Sequence, residues 1–237
     1  SNFLVEADFE GKTFRLLVDC GLIQGLKDEE KLNWEPFTFN PAQVDVLIVT
    51  HAHLDHIGRI PKLVKDGFRG AIYSTAPTKE ISELSLHDSV GLLAREAERE
   101  GRSNLYEVGD VSLALSRWQT VNYHQPLSLG PFQLVFRDAG HILGSAMVEL
   151  TLAGRKIVFT GDLGNTPSPL LPDTERITDA DYLIMESVYG DRNHEDRSRR
   201  KEKFEDIIEE TMKKGGTLII PAFSIERTQE LLFEIEQ

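Results

Sequence analysis

An α/β fold is expected, on three observations. Val44 to Thr50 is a continuous apolar strand of the kind buried on both faces. Short strands fill the stretch 119–160. Beyond Asp162 the pattern becomes βαβα, which points to a parallel sheet. The composition agrees. Of 237 residues, 40% are hydrophobic and 27% charged, an ordinary globular balance that excludes a disordered tail, a collagen-like fibre and a coiled coil.

In chain order, Ser1 to Asp8 alternates as a strand, Glu10-Gly11-Lys12 is a turn, and Thr13 to Asp19 completes a hairpin. The buried strand 44–50 is followed by a helix over His56 to Asp66, stopped by Gly67. A short strand, Ala71 to Ser74, leads into a long helix over Thr78 to Glu100 that ends at Gly101. Asp110 is placed to cap a helix running to Trp118, and strands are expected at 119–123, 132–138, 146–152 and 155–160. Then come a strand over Asp181 to Met185, a charged helix over Ser198 to Lys214, a strand over Thr217 to Ile220 and a helix over Glu226 to Glu234. The first strand has no preceding turn and the last helix no closing signal, so further sequence is expected at both ends.

With 26 Lys and Arg against 39 Asp and Glu, the net charge is −13, which argues mildly against nonspecific nucleic-acid binding. The longest apolar run, about Val46 to Val49, is far short of the roughly 20 residues of a membrane helix. Glu6 and Asp8 stand where a signal peptide would be basic. One cysteine, Cys20, excludes an internal disulfide or a cysteine-built zinc site, and a reducing cytoplasmic location is the default.

The chemistry concentrates in Thr50-His51-Ala52-His53-Leu54-Asp55-His56, where a buried strand gives way to a helix. A spacing of two puts His51 and His53 on one side of an extended segment, and Asp55 and His56 come round at the helix start. Four ligand-type side chains this close need charge partners, and a divalent metal pair supplies them. Imidazole and carboxylate suit zinc; manganese or iron also fits. A helix-capping Asp among surface histidines is the plain alternative. His141 sits in the glycine-flanked turn Ala139 to Ser145, and Asp162 ends the buried strand Ile157 to Gly161. Each is weak alone and gains force from the other and from the histidine cluster.

In this order the residues resemble the metallo-β-lactamase superfamily: Asp19, then His51, His53, Asp55 and His56, then His141, then Asp162. The resemblance implies an αββα sandwich with two metals at one sheet edge. It gives metal one His51, His53 and His141, gives metal two Asp55 and His56, and makes Asp162 the bridge. It also implies that Asp19 orients the histidine loop, although Asp19 also reads as a turn former.

Leu183 to Arg192, with Glu186 closing a strand and Tyr189-Gly190 following, is similar to the β-CASP branch of that superfamily, which acts on nucleic acids. Pro221-Ala222-Phe223-Ser224 and Arg227 to Leu232 are similar to its next segment, and Leu17 to Gly25 lies nearest its RNA-processing members. The resemblance implies a metallo-β-lactamase domain over 1–190 and the beginning of an inserted β-CASP domain over 191–237. It also implies a dinuclear zinc ribonuclease, with Asp55, Asp162 and Glu186 as catalytic residues and a metal-held hydroxide attacking phosphorus. Glu186 would position an acid histidine; it also reads as a helix-start carboxylate. That histidine and one completing metal two lie later in the family pattern, and no histidine follows His194 here. The second site is therefore expected to be incomplete.

Single-stranded RNA is the implied partner, with no membrane; a homodimer or a processing-complex partner stays open. Arg192, Arg197, Arg199, Arg200 and Lys201 read as a solvated helix face rather than an RNA contact. His87 and His124 read as surface residues and His194 as a cap for the following helix. Trp34, Pro36 and Phe37 form a packing loop, with a base-stacking platform as the alternative. A thioester or lactone hydrolase of the same superfamily and a metal-free scaffold subunit remain the competing functions. The late motifs disfavour the first, and the filled ligand positions disfavour the second.

Overall fold

A computed structural model describes residues 1–25, 29–165, 167–193 and 199–236. The chain divides into two compact units, Ser1–Met185 and Glu186–Gln237.

The first unit holds two five-stranded sheets. One runs β1 (Phe3–Phe9), β2 (Lys12–Val18), β3 (Val46–Ile48), β4 (Ala71–Ser74), β5 (Trp118–Thr120); only β1 and β2 pair antiparallel. The other is built from β6 (Leu127–Leu129), β7 (Phe132–Asp138), β8 (Ala146–Leu152), β9 (Arg155–Phe159) and β10 (Tyr182–Ile184). Its strands are antiparallel except for the parallel β9–β10 pair.

Strand periodicity explains the layering. Leu16, Val18, Val46 and Ile48 face the second sheet and pack with Phe132, Leu134, Phe136, Val148, Leu150 and Phe159. Leu17, Leu47 and Ile72 point the other way, are equally buried, and are covered by helices. These are α1 (Leu54–Ile57), α2 (Ile60–Lys65), α3 (Ala76–Arg99) and α4 (Val108–Ser116). Mixed sheets packed face to face with helices against them make the α/β sandwich expected of a metallo-β-lactamase fold.

Local corrections follow from chain chemistry. The helix expected over 56–66 is two helices, because Pro61 sits in the first turn of α2 and cannot continue the hydrogen-bond ladder of α1. Asp110 is not the cap of α4: Glu107 is, and Asp110 accepts its N–H at 2.9 Å from the third helical position. The strand β6 has little signature in the sequence, since Leu127-Ser128-Leu129 offers only two apolar residues.

The second unit contains α5 (Arg200–Lys213) and α6 (Arg227–Glu236). Arg200 Nη2 reaches Glu234 Oε1 at 3.3 Å between them. Residues 217–220 form no strand, which corrects the βαβα expectation: a strand exists by pairing, and no described strand pairs with this segment. Arg199 is paired with Glu202 and Arg200 with Glu234, as on an ordinary charged helix face. The expected cap His194 and the basic residue Arg197 lie outside the described residues.

Candidate metal centre

The ligand-type residues gather where β2, β3 and β9 end and β7 turns into β8. After β3 the chain stays extended through His53, the N-cap of α1 at φ −72° and ψ 145°. His51 and His53 therefore share one side, as their spacing predicts. The turn of α1 then swings Asp55 and His56 back toward them. This start of α1 lies against Gly21, where a Cβ would fall 1.6 Å from the Asp55 carbonyl oxygen, so only glycine fits.

Two ligand groups result, sharing Asp162. In the first, His53 Nδ1 lies 3.1 Å from His51 Nε2 and 3.2 Å from His141 Nε2. Asp162 Oδ2 is 3.8 Å from His51 Nε2 and 3.6 Å from His141 Nε2. In the second, His56 Nε2 is 3.2 Å from Asp162 Oδ1 and 3.6 Å from Asp55 Oδ2. Asp162 thus turns one oxygen to each group. Ligands bound at about 2.0–2.1 Å to a tetrahedral ion stand about 3.3–3.4 Å apart. The observed edges bracket that value, so the donor set fits a pair of divalent ions.

The backing groups fix the ring orientations. Asp19, buried and at φ +59°, accepts the Thr50 N–H at 2.8 Å through Oδ1. Its Oδ2 lies 2.8 Å from His56 Nδ1, which leaves Nε2 aimed at Asp162. The Thr50 hydroxyl donates to Asp19 and lies 3.0 Å from His51 Nδ1, which directs His51 Nε2 inward in the same way. Ser145 Oγ accepts the N–H groups of His141 and Ile142 at 3.0 and 3.2 Å and shapes the His141 turn.

Electrostatics separates the two groups. Burial and the neighbouring histidines hold His51 well below the ordinary imidazole range. Burial also lowers His53, against the pull of Asp55 and Asp162. Both are therefore neutral, with lone pairs to donate. Burial would lower His56 too, but Asp19 and Asp162 outweigh it and push His56 up to about 10. Burial would raise Asp162, yet His56, His141 and His53 hold it below the usual carboxylate range, so it is ionised.

All six residues expected to hold metal lie in these two groups: His51, His53, Asp55, His56, His141 and Asp162. Asp19 supports them from behind. Glu186 belongs to the second unit, where Oε2 accepts the Val188 N–H at 3.2 Å. No spacing in the sequence marks Thr50 and Ser145; the one signal for them is a hydroxyl beside each histidine ligand motif. His87 is exposed on α3. His124 is exposed but bridges Arg137 and Glu175, at 2.8 and 3.2 Å. Phe37 lies under Arg59 and Lys62, and the Trp34 indole donates to the Ser103 carbonyl.

A family model described as a metallo-beta-lactamase superfamily domain matches residues 5–180. A ribonuclease of Thermus thermophilus is 40% identical over 219 residues, which are 92% of this chain and 48% of that protein. The cleavage and polyadenylation specificity factor 73 of Drosophila melanogaster is 32% identical over 97% of this chain and 33% of its own length. Transcription termination factor FttA of Methanosarcina mazei is 34% identical over 94% of this chain and 36% of its own. The chain thus spans half or less of the length of these relatives.

Proposed function

Because the chain belongs to the metallo-beta-lactamase superfamily, in its β-CASP branch, we propose that it supplies the metal-binding part of a ribonuclease that hydrolyses RNA phosphodiester bonds. The observation that carries this reading is the pair of ligand groups sharing Asp162, in a chain similar to ribonucleases along almost its whole length. Zinc is the proposed ion, from the imidazole-rich first group, with manganese able to replace it.

His51, His53, His141 and Asp162 would hold one ion, and Asp55, His56 and Asp162 the other. When bound, two such ions neutralise the phosphodiester charge and make water acidic enough to supply a nucleophile near neutral pH. The chain's own residues prepare that chemistry. His51 and His53 are neutral before any ion arrives. Asp162 is ionised and holds the two groups at one spacing. Asp19 and Thr50 keep the ring nitrogens of His56 and His51 pointed inward. The second group has three ligands among the described residues against four in the first, which supports weaker binding there.

Further parts of the reading are that residues 1–190 are the metal-binding domain and 191–237 the start of a β-CASP domain, and that Glu186 positions a leaving-group acid. Single-stranded RNA is the proposed substrate. Among the described residues no helix is long and apolar enough to cross a membrane. A reducing, cytoplasmic location agrees with the single buried thiol of Cys20. The test is end-labelled single-stranded RNA beside a thioester and a lactone, given to the full-length metal-loaded protein. RNA cleavage that stops with chelator and returns with zinc or manganese is expected. Thioester or lactone turnover without RNA cleavage would overturn the reading.

A further inference from the structure

The first sheet and the second each bring half of the first ligand group. His51 and His53 follow β3, whereas His141 and Asp162 come from the β7–β8 turn and the end of β9. Their spacing therefore depends on how the His141 turn is held against the first sheet. We infer that Thr75 and Thr78, at the start of α3, are positioning residues for His141. This rests on the metal-centre reading and not on the identity of the substrate.

Thr75 caps α3 directly after β4, and its Oγ1 accepts the Thr78 N–H at 3.4 Å. That same hydroxyl donates to the Gly144 carbonyl at 2.6 Å, and the Thr78 hydroxyl donates to the same oxygen at 2.8 Å. Both threonines are buried. Two donors from the helix thus converge on one carbonyl of the His141 turn. The approach is close: a Cβ on Gly144, at φ +84°, would stand 2.7 Å from Thr78 N and 2.8 Å from Thr75 Oγ1.

The next residue carries the constraint to the ligand. Ser145 Oγ holds the His141 and Ile142 N–H groups, so fixing the Gly144–Ser145 peptide fixes the backbone of His141. From the other side, Trp118 Nε1 donates to Ser74 Oγ at 2.8 Å, and Ser74 Oγ donates to the Thr75 carbonyl at 2.8 Å. The clamp is therefore anchored in the first sheet. A backbone bond from Ala146 N to Thr50 O at 2.8 Å runs beside it, but that bond ties down the strand rather than the turn. Neither threonine joins a ligand group, so both act through Gly144 and Ser145. Groups hydrogen-bonded directly to metal ligands affect affinity by about 10–100-fold, and the threonines, acting through Gly144 and Ser145, belong at the low end of that range.

The test uses Thr78→Val, which keeps the branched shape and the α3 cap but removes one donor, and Thr78→Ser, which restores the donor. Affinity for the first zinc is read by competition with a chromophoric chelator, and ligand geometry by the visible spectrum of the cobalt-substituted protein. Thr78→Val should weaken the first zinc about tenfold and shift the cobalt bands, whereas Thr78→Ser should match the wild type in both. Thr75→Val combined with Thr78→Val should weaken zinc further; if that pair fails to fold, the Val and Ser variants at 78 decide the matter. Wild-type affinity and spectrum in Thr78→Val would overturn the inference, as would a Thr78→Ser variant as weak as Thr78→Val. A wild-type protein that takes up no metal would overturn the metal-centre reading and this inference together.

Discussion

Loading an ion at the second group while the first is empty should displace a proton from His56, whereas His51 and His53 are already neutral and should contribute none. In the metal-free protein Asp19 and Asp162, overcoming burial, keep His56 protonated up to about pH 10. An ion needs the neutral ring, so at about pH 7.5 the lost proton costs about 2.5 pH units of work, or about 3 kcal/mol, a few hundred-fold in affinity. Measured in His53→Ala, whose first group is disabled, the association constant of the second group should therefore rise close to tenfold per pH unit between about pH 7 and 9. Chelator competition across that range gives the slope, and calorimetry in two buffers of different ionisation heat gives the protons released. Asp19→Asn removes one of the two carboxylates and should move the dependence to lower pH. A constant that is flat over this range in His53→Ala, or a slope that Asp19→Asn leaves in place, would refute the reasoning.

The same group predicts the stability of the metal-free protein. The folded pKa of His56 is raised, so its contribution is fully present below the ordinary imidazole pKa and is lost as pH rises through about 10; thermal unfolding in chelator should show the midpoint falling from pH 7 toward pH 10. His53→Ala removes the nitrogen that lies 3.1 and 3.2 Å from the other two imidazoles, and elemental analysis should find the stoichiometric first zinc gone. Asp162→Asn in the full-length protein should abolish turnover of labelled RNA while leaving its binding within a few-fold by filter retention, because the carboxylate serves both ligand groups. Gly21→Ala places a methyl inside the Asp55 carbonyl, so chemical denaturation should show a loss of at least about 1–3 kcal/mol together with weaker binding at the second site.

The centre was legible from sequence because its ligands come in local bursts. His51, His53, Asp55 and His56 declare themselves by spacing alone, since an extended stretch and one helical turn decide where they point. His141 and Asp162 lie far along the chain and were joined to the cluster only through their order within a known pattern. The supporting hydroxyls were not legible. Thr75 and Thr78 meet the His141 turn only where the two sheets come together, Thr50 meets Asp19 only once β2 and β3 pair, and Ser145 acts inside a turn whose closure no residue type announces. The element errors have similar causes. Pro61 splitting α1 from α2 is a local signal that the apolar periodicity masked. Strand β6 and the unpaired segment 217–220 depend on a partner strand, which no short window of sequence contains.

Asp162 is proposed to hold two ions, one in each of two unequal ligand groups. Anomalous diffraction at the zinc edge, on zinc-soaked crystals of the full-length protein, tests it most directly. Two peaks are predicted, one among His51, His53 and His141 and one beside Asp55 and His56, with an Asp162 oxygen on each and lower occupancy at the second. A single peak, or two peaks that do not share Asp162, would contradict the account.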